Sequence, residues 1–453
     1  MGLFQTDFSI DELKQRRRKV CDQIGPSAIA LIQGADAPLG LSSFRQYNDF
    51  YYLCGVEVPH SYLLIDGRSR KTSLFLPRTA LVDRDHDERP LTADDPDFAK
   101  VTTGVDGVQG IEGLFRYVSG AGTVYTCLGE GEGVCATPDS HAGWYRKVVA
   151  DPWDGRPRRG DHFAQLLRTR AAQIEIRDLV PLLAAMRLVK SPREIELLRR
   201  AGQICARGLC DAAAATRPGI MEYQLEAVLR YHYHAGGAQG ISYHAIVAGG
   251  ANAFHAHYCL NRGRLADGDL VLLDCAPDYR YYTSDITRMW PVNGTYSPTQ
   301  RALYGFVTEY HKTLCRGIRP GRSLREIEIE AAEIMSGRIR EFAFASPAHE
   351  AGARGMFEFK GHLSHSVGMC VHDGSGHYER PLEPGMVFSV DPQMRIPEDR
   401  LYLRVEDTGV VTEDGFEIFT VAAPLELEAI EALMRSDGML QRFPPVAVGP
   451  FIA

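Results

Sequence analysis

Gly268-Asp-Leu-Val-Leu-Leu-Asp274 and Gly385-Met-Val-Phe-Ser-Val-Asp391 are two copies of one pattern: a glycine, an apolar run and a closing aspartate. The run Val271-Leu272-Leu273 reads as a buried strand, with the glycine supplying the turn ahead of it. An acid at the end of such a strand is a buried charge, costly unless it is paired or meets a metal. Each copy continues into a second strand with a further acid: Asp285 in Ser284-Asp-Ile-Thr287, and Glu406 in Arg404-Val-Glu-Asp407.

The repetition extends upstream. Arg217-Pro218-Gly219 ends one helical pattern and precedes another, and Arg319-Pro320-Gly321 does the same before the second copy. Two helix–helix–hairpin units predict a pseudo-twofold domain whose hairpins face each other across the axis. Helix starts are marked by Ser9-x-x-Glu12, Ser191-Pro-Arg-Glu194, Ser297-Pro-x-Gln300 and Ser323-x-x-Glu326, all capping-box patterns.

Four converging carboxylates, Asp274, Asp285, Asp391 and Glu406, repel one another unless cations lie between them. An oxygen-rich set suits hard divalent ions, and bridging carboxylates hold two of them ~3.5–4 Å apart. Histidines stand nearby in sequence: His362, His365 and His372 within Gly361–Asp373, and His255 and His257 in Phe254-His-Ala-His-Tyr258. Imidazole supplies a metal ligand and donors for charge that develops on an attacked carbonyl. His232 and His234 read as helix-surface or packing residues.

The first half of the chain reads as mixed α/β. Strands are expected at Ala28–Ile32, Phe50–Leu53, Ser61–Leu64 and Ser73–Leu76, and a domain boundary near 180–190. The Gly129–Gly133 run lacks the strand–GxGxxG–helix context of a nucleotide site and reads as a flexible loop. Asp151–Arg159 reads as a surface loop. The basic run Arg16-Arg17-Arg18-Lys19 reads as a solvated helix face with no partner.

At 453 residues with 45% hydrophobic and 24% charged side chains, the composition excludes disorder and coiled coil. A net charge of −8 argues against nucleic acid or an anionic membrane as the main partner. No apolar run approaches the ~20 residues that span a bilayer, and Met1–Lys19 is too polar for a secretory signal. The 10 cysteines contain no C-x-x-C pair, as expected of reduced thiols in a cytoplasmic enzyme.

Together these residues resemble the creatinase/prolidase/aminopeptidase P group of pita-bread metallopeptidases, family M24. The resemblance is carried by Asp274, Tyr282-x-Ser-Asp285-Ile-Thr-Arg288, Ser364-His365-x-x-Gly-x-x-Val-His372-Asp373, Glu383-Pro-Gly-Met-Val387 and Arg404-Val-Glu406-Asp407. Phe44-Arg-Gln-Tyr-Asn-Asp-Phe-Tyr-Tyr-Leu53-x-Gly55 looks like the N-terminal domain of bacterial aminopeptidases P. The resemblance implies an α/β (α+β) fold: a creatinase-like domain over 1–185, a pita-bread catalytic domain over 186–440 and a C-terminal extension over 441–453.

It further implies five metal ligands, Asp274, Asp285, His365, Asp391 and Glu406, holding two divalent ions. Manganese is expected, with zinc or cobalt as substitutes. His257 and His372 match the histidines that steady the reacting amide, Asp391 the proton acceptor, and Arg404 a basic residue that orients a ligand carboxylate. The expected activity is hydrolysis of the Xaa-Pro bond at peptide N-termini by a hydroxide held between the two ions. The alternatives are a prolidase restricted to Xaa-Pro dipeptides and a catalytically weakened binding protein of the same fold. The expected partners are a peptide with proline second and further copies of the chain, as a homodimer or homotetramer, with no nucleic acid and no membrane. Of three departures, Ala276 in place of a usual Gly is minor and two stand out. Asp391 replaces the usual Glu and is one methylene shorter, and His362 is displaced by one residue from the family's first histidine.

Overall fold

The computed structural model describes residues 4–38, 40, 42–81, 89–374 and 376–445, so residues 446–453 of the expected C-terminal extension lie outside the described residues. The chain divides into two compact units, Met1–Arg187 and Leu188–Ala453.

The first unit is built on a mixed sheet of β1 (Ala28–Gln33), β2 (Tyr62–Asp66), β3 (Lys71–Leu76), β4 (Gly107–Gly110), β5 (Thr123–Thr126) and β6 (Glu175–Asp178), in the order β4-β3-β2-β1-β5-β6. Strand β1 runs antiparallel to β2 and parallel to β5. Ile29, Leu31, Leu64, Phe75 and Val124 of the sheet pack with Phe163 and Leu167 of the helix Arg159–Arg170.

Three expectations are corrected here. Phe50–Leu53, expected as a strand, lies inside helix α2 (Asn48–Cys54), and every residue of α2 except Asp49 is buried. A short apolar run carries no period that separates strand from buried helix. Gly55 at φ +64° closes α2 by donating to the Tyr51 carbonyl at 2.7 Å. Only half of the basic run on helix α1 (Ile10–Ile24) is a solvated face: Arg18 and Lys19 are exposed, but Arg16 and Arg17 are buried. Arg16 donates to the Tyr52 carbonyl and Arg17 to the Leu53 carbonyl, each at 3.0 Å, so two cations satisfy the negative end of α2. The Gly129–Gly133 loop is pinned: Gly160 donates to the Gly129 carbonyl at 2.7 Å, Asn48 to the Glu132 carbonyl at 3.0 Å, and Arg159 to the Glu130 carboxylate at 3.0 Å.

The second unit contains two equivalent halves. The first comprises α3 (Pro192–Ala215), α4 (Glu222–Ala235), β7 (Ile246–Gly249), β8 (Leu270–Cys275) and β9 (Ile286–Pro291). The second comprises α5 (Pro298–Gly317), α6 (Leu324–Arg338), β10 (Leu363–Ser366), β11 (Val387–Val390), β12 (Gln393–Ile396), β13 (Leu401–Arg404), β14 (Glu406–Val411) and β15 (Phe416–Ile418). Ser191, Ser297 and Ser323 cap α3, α5 and α6 with reciprocal capping boxes. Between the helices of each pair, Gly219 and Gly321 take φ +92° and +82°, a left-handed turn that favours glycine.

The main sheet runs β10-β11-β14-β9-β8-β7, with β15 pairing β14, while β12 and β13 form a separate hairpin. This order is a palindrome, with the axis passing between β9 and β14. There Ile286 pairs Asp407 and Thr287 pairs Glu406, so the two halves join edge to edge in one sheet. Leu209, Val228, Phe306 and Ile327 from the four helices share a core with Leu272, Trp290 and Phe388 from the sheet.

Candidate metal centre

Register decides which side chains meet. Thr287 of β9 pairs Asp274 of β8 on one side and Glu406 of β14 on the other, so all three share one face of the sheet. Asp285, two residues before Thr287, shares that face by alternation. Asp391 directly follows β11, which pairs β14. All four acids are buried. His365 enters from β10, its Nε2 at 3.5 Å from Asp285 and 3.4 Å from Glu406. Asp285, His365 and Glu406 offer three potential ligand atoms within 4.8 Å of one another.

Asp274 and Asp391 lie on the side of the cluster held by Arg404. The Arg404 guanidinium contacts Asp274 directly, and stands 3.6 Å from Asp391 and 3.8 Å from Glu406. The His372 ring lies beside that of His365, centroid to centroid 4.3 Å. His257 is solvent-exposed, and among the described residues no hydrogen bond or ion pair ties it to the acids. His362 is fully buried against Tyr310 and Phe359 and bonds the Met356 carbonyl at 2.7 Å; burial lowers it to about 4, so it packs as neutral imidazole. His232 pairs with Asp211 at 2.7 Å and His234 is exposed.

Tyr243 is a site residue that the sequence did not announce. Its hydroxyl contacts both Asp274 and Asp285, the latter at 2.5 Å. It stands just before β7, and only the pairing of Ile246 with Asp274 brings it to the acids. No spacing rule in the chain links residue 243 to the two hairpins. A tyrosine ahead of a buried strand that neighbours an acid-ended one would have been the signal.

The electrostatics are unbalanced. Burial, then Glu406 and Asp274, push Asp285 well above the ordinary carboxylate range; burial, then Glu406, do the same to Asp391. Burial acts on Glu406 too, but Arg404 and His365 outweigh it and hold the acid down at about 2. One guanidinium and one imidazole therefore face four acids. Asp391 Oδ1, Glu406 Oε1 and His365 Nδ1 are buried without a hydrogen-bond partner. Buried polar atoms are seldom left so, and oxygen with imidazole nitrogen is a donor set for divalent cations. The residues present fit a metal centre.

The surroundings fix the donors. Thr287 bonds Glu406 at 3.0 Å, Ser389 lies 3.2 Å from His365 Nε2, and Thr408 bonds the Asp285 carbonyl at 2.9 Å. Such outer contacts orient ligands and tune their basicity.

The model of metallopeptidase family M24 matches residues 196–413, and that of the aminopeptidase P N-terminal domain matches 13–122. The chain is 33% identical to the Xaa-Pro aminopeptidase of Escherichia coli (strain K12), over 95% of this chain and 98% of that one. It is 31% identical to the Xaa-Pro aminopeptidase of Haemophilus influenzae, over 94% and 97%. The solved E. coli aminopeptidase P with the inhibitor Pro-Leu superposes with a TM-score of 0.76 at 31% identity, covering 95% of this chain and 99% of that one. The paired halves, the acid-lined sheet face and relatedness along nearly the whole length agree: the chain belongs to metallopeptidase family M24.

Proposed function

We propose that this protein is a metal-dependent exopeptidase that releases the N-terminal residue ahead of proline. The observation that carries the reading is the sheet face where four buried acids and His365 converge with buried oxygens that lack a hydrogen bond. Relatives matched along nearly the whole chain include the Xaa-Pro aminopeptidases of Escherichia coli and Haemophilus influenzae, and one solved neighbour is a zinc-substituted E. coli aminopeptidase P in complex with product.

In this reading Asp274, Asp285, His365, Asp391 and Glu406 hold two divalent cations, manganese being the expected ion and zinc or cobalt substitutes. When bound, such ions supply Lewis acidity to the scissile carbonyl and lower the pKa of water. Asp391 takes the proton from the attacking water as general base. His372, its ring beside that of His365, and His257, from the exposed loop after β7, donate hydrogen bonds to the oxygen of the tetrahedral intermediate. Arg404 orients Asp274 and keeps Glu406 ionised. Tyr243 orients the Asp274–Asp285 pair.

The same reading takes 1–185 as the N-terminal domain, 186–440 as the catalytic domain and 441–453 as an extension. It takes the working form as a cytoplasmic homodimer or homotetramer. Among the described residues no helix is long and apolar enough to cross a membrane.

The test is an assay on Xaa-Pro peptides with the protein stripped of metal and then supplied with manganese. Activity only with metal supports the reading, and equal rates in both conditions overturn it. Comparing Gly-Pro with a proline-second tripeptide separates the exopeptidase from a dipeptide-only prolidase.

A further inference from the structure

Thirteen residues separate β7 from the Gly263 backbone, and within this segment lie His255 and His257. It turns at Gly250 (φ +52°) and Asn261 (φ +46°) and contains no strand. An exposed loop of this length wanders unless something ties it down. Buried Asn261 ties its far end to Val247, Ala245 and Glu226, and the tie that reaches both ends and the middle is the side chain of Glu222 at the start of α4. It is fully buried, and among the described residues no cation pairs with it.

The Glu222 carboxylate instead accepts four hydrogen bonds from neutral donors, all on the loop. Oε1 takes the Gly249 amide at 2.8 Å and the Asn252 side-chain amide at 2.9 Å. Oε2 takes the Tyr258 hydroxyl at 2.9 Å and the Gly263 amide at 2.6 Å. The Glu222 amide donates back to the Gly263 carbonyl at 2.9 Å. One carboxylate thus grips the loop at its entry, at its first turn, at the residue directly after His257 and at its exit. The approach is close: a Cβ on Gly263 would come 2.8 Å from Glu222 Oε1. Burying a carboxylate is costly, and bonds from neutral donors recover that loss only while all of them are made.

We propose that Glu222 is a positioning residue for the reaction: it clamps the loop Gly249–Gly263 and so fixes where His257 meets the substrate. The inference rests on the role given to His257 above. Glu222 touches neither the acids nor a metal ligand; it acts through Tyr258 and the backbone on either side of His257.

The test uses the metal-loaded full chain and the variants E222Q, Y258F, H257A and E222Q/H257A, with kcat and KM measured on a proline-second tripeptide. Amide hydrogen exchange is followed over 249–263, and bound metal is quantified. E222Q keeps the shape but turns one acceptor into a donor facing donors. It is expected to lower kcat about 10- to 100-fold with KM and metal content little changed, and to speed exchange across the loop. Y258F removes one of the four bonds and is expected to show the same changes in smaller measure. In the double variant the loss should not exceed that of H257A alone, because a loop without its imidazole has nothing left to position. Multiplying losses in the double variant, or unchanged exchange in both E222Q and Y258F, overturn the proposal. A full kcat in H257A removes His257 from the reaction and the positioning role with it, whereas loss of activity on metal stripping is independent of either result.

Discussion

Glu406 and Asp407 are neighbours on β14, both buried, and they live in opposite electrostatic worlds. Asp407 points to the face where Arg288 grips it with bonds of 2.8 and 3.0 Å, His311 stands at 3.2 Å, and Thr420 donates a further bond. Burial opposes its charge, yet Arg288 and His311 hold it well below the ordinary range. On the other face Glu406 joins Asp274, Asp285 and Asp391 around one arginine and one imidazole. A buried acid that serves the fold brings its own counter-charges. The acids of the working face leave theirs to be supplied from solution.

That contrast is strongest at Asp285. Replacing it with Asn should cut activity by about 10³-fold or more, equivalent to ~4 kcal/mol of transition-state stabilisation. In metal-free protein the same change should leave the unfolding temperature equal or higher. The reason is that the folded state raises the Asp285 pKa, so its ionised form opposes folding at neutral pH. A lower unfolding temperature without metal would break the comparison. On the opposite face Asp407→Ala should cost about 3–5 kcal/mol in denaturant unfolding, because Arg288 and His311 lose their buried partner. A loss below ~1 kcal/mol would show that the pairing is not what stabilises that face.

Asp391→Glu restores the family's usual side chain and should keep kcat within about tenfold of the parent, whereas Asp391→Asn, with no base, should lose about 10²–10⁴-fold. Complete loss in the Glu variant would show that the shorter acid is built into the site. A further effect concerns pH. Burial would lower His311, but Cys315 and Asp407 raise it to about 10. A raised cation contributes stability in full below its unfolded pKa of ~6.5 and loses it as pH rises through about 10. Thermal unfolding scanned from pH 6 to 10.5 should show this decline, and His311→Gln should flatten it.

The duplicated glycine-to-aspartate pattern was legible because a buried acid-ended strand is rare and its recurrence rarer. It led to the four acids and to the twofold sheet. The serine caps were legible for a local reason: each satisfies its own helix end within four residues. Helix α2 was not, since Phe50–Leu53 is too short to show a period, and what makes it helical is Gly55 behind it and Arg16 and Arg17 above its carbonyls. Arg17 comes from another helix, and no local rule announces such a contact. Tyr243 and Glu222 were missed for the same reason, as both act on segments more than twenty residues away.

The sequence by itself determined which residues carry charge into the core and which strands bear them, because apolar runs, caps and turn glycines are read over a few neighbours. Only the tertiary structure decided that Glu406 and Asp407 face opposite ways into unlike surroundings. The period of a strand says that two neighbours part; the order of strands in the sheet says what each one meets.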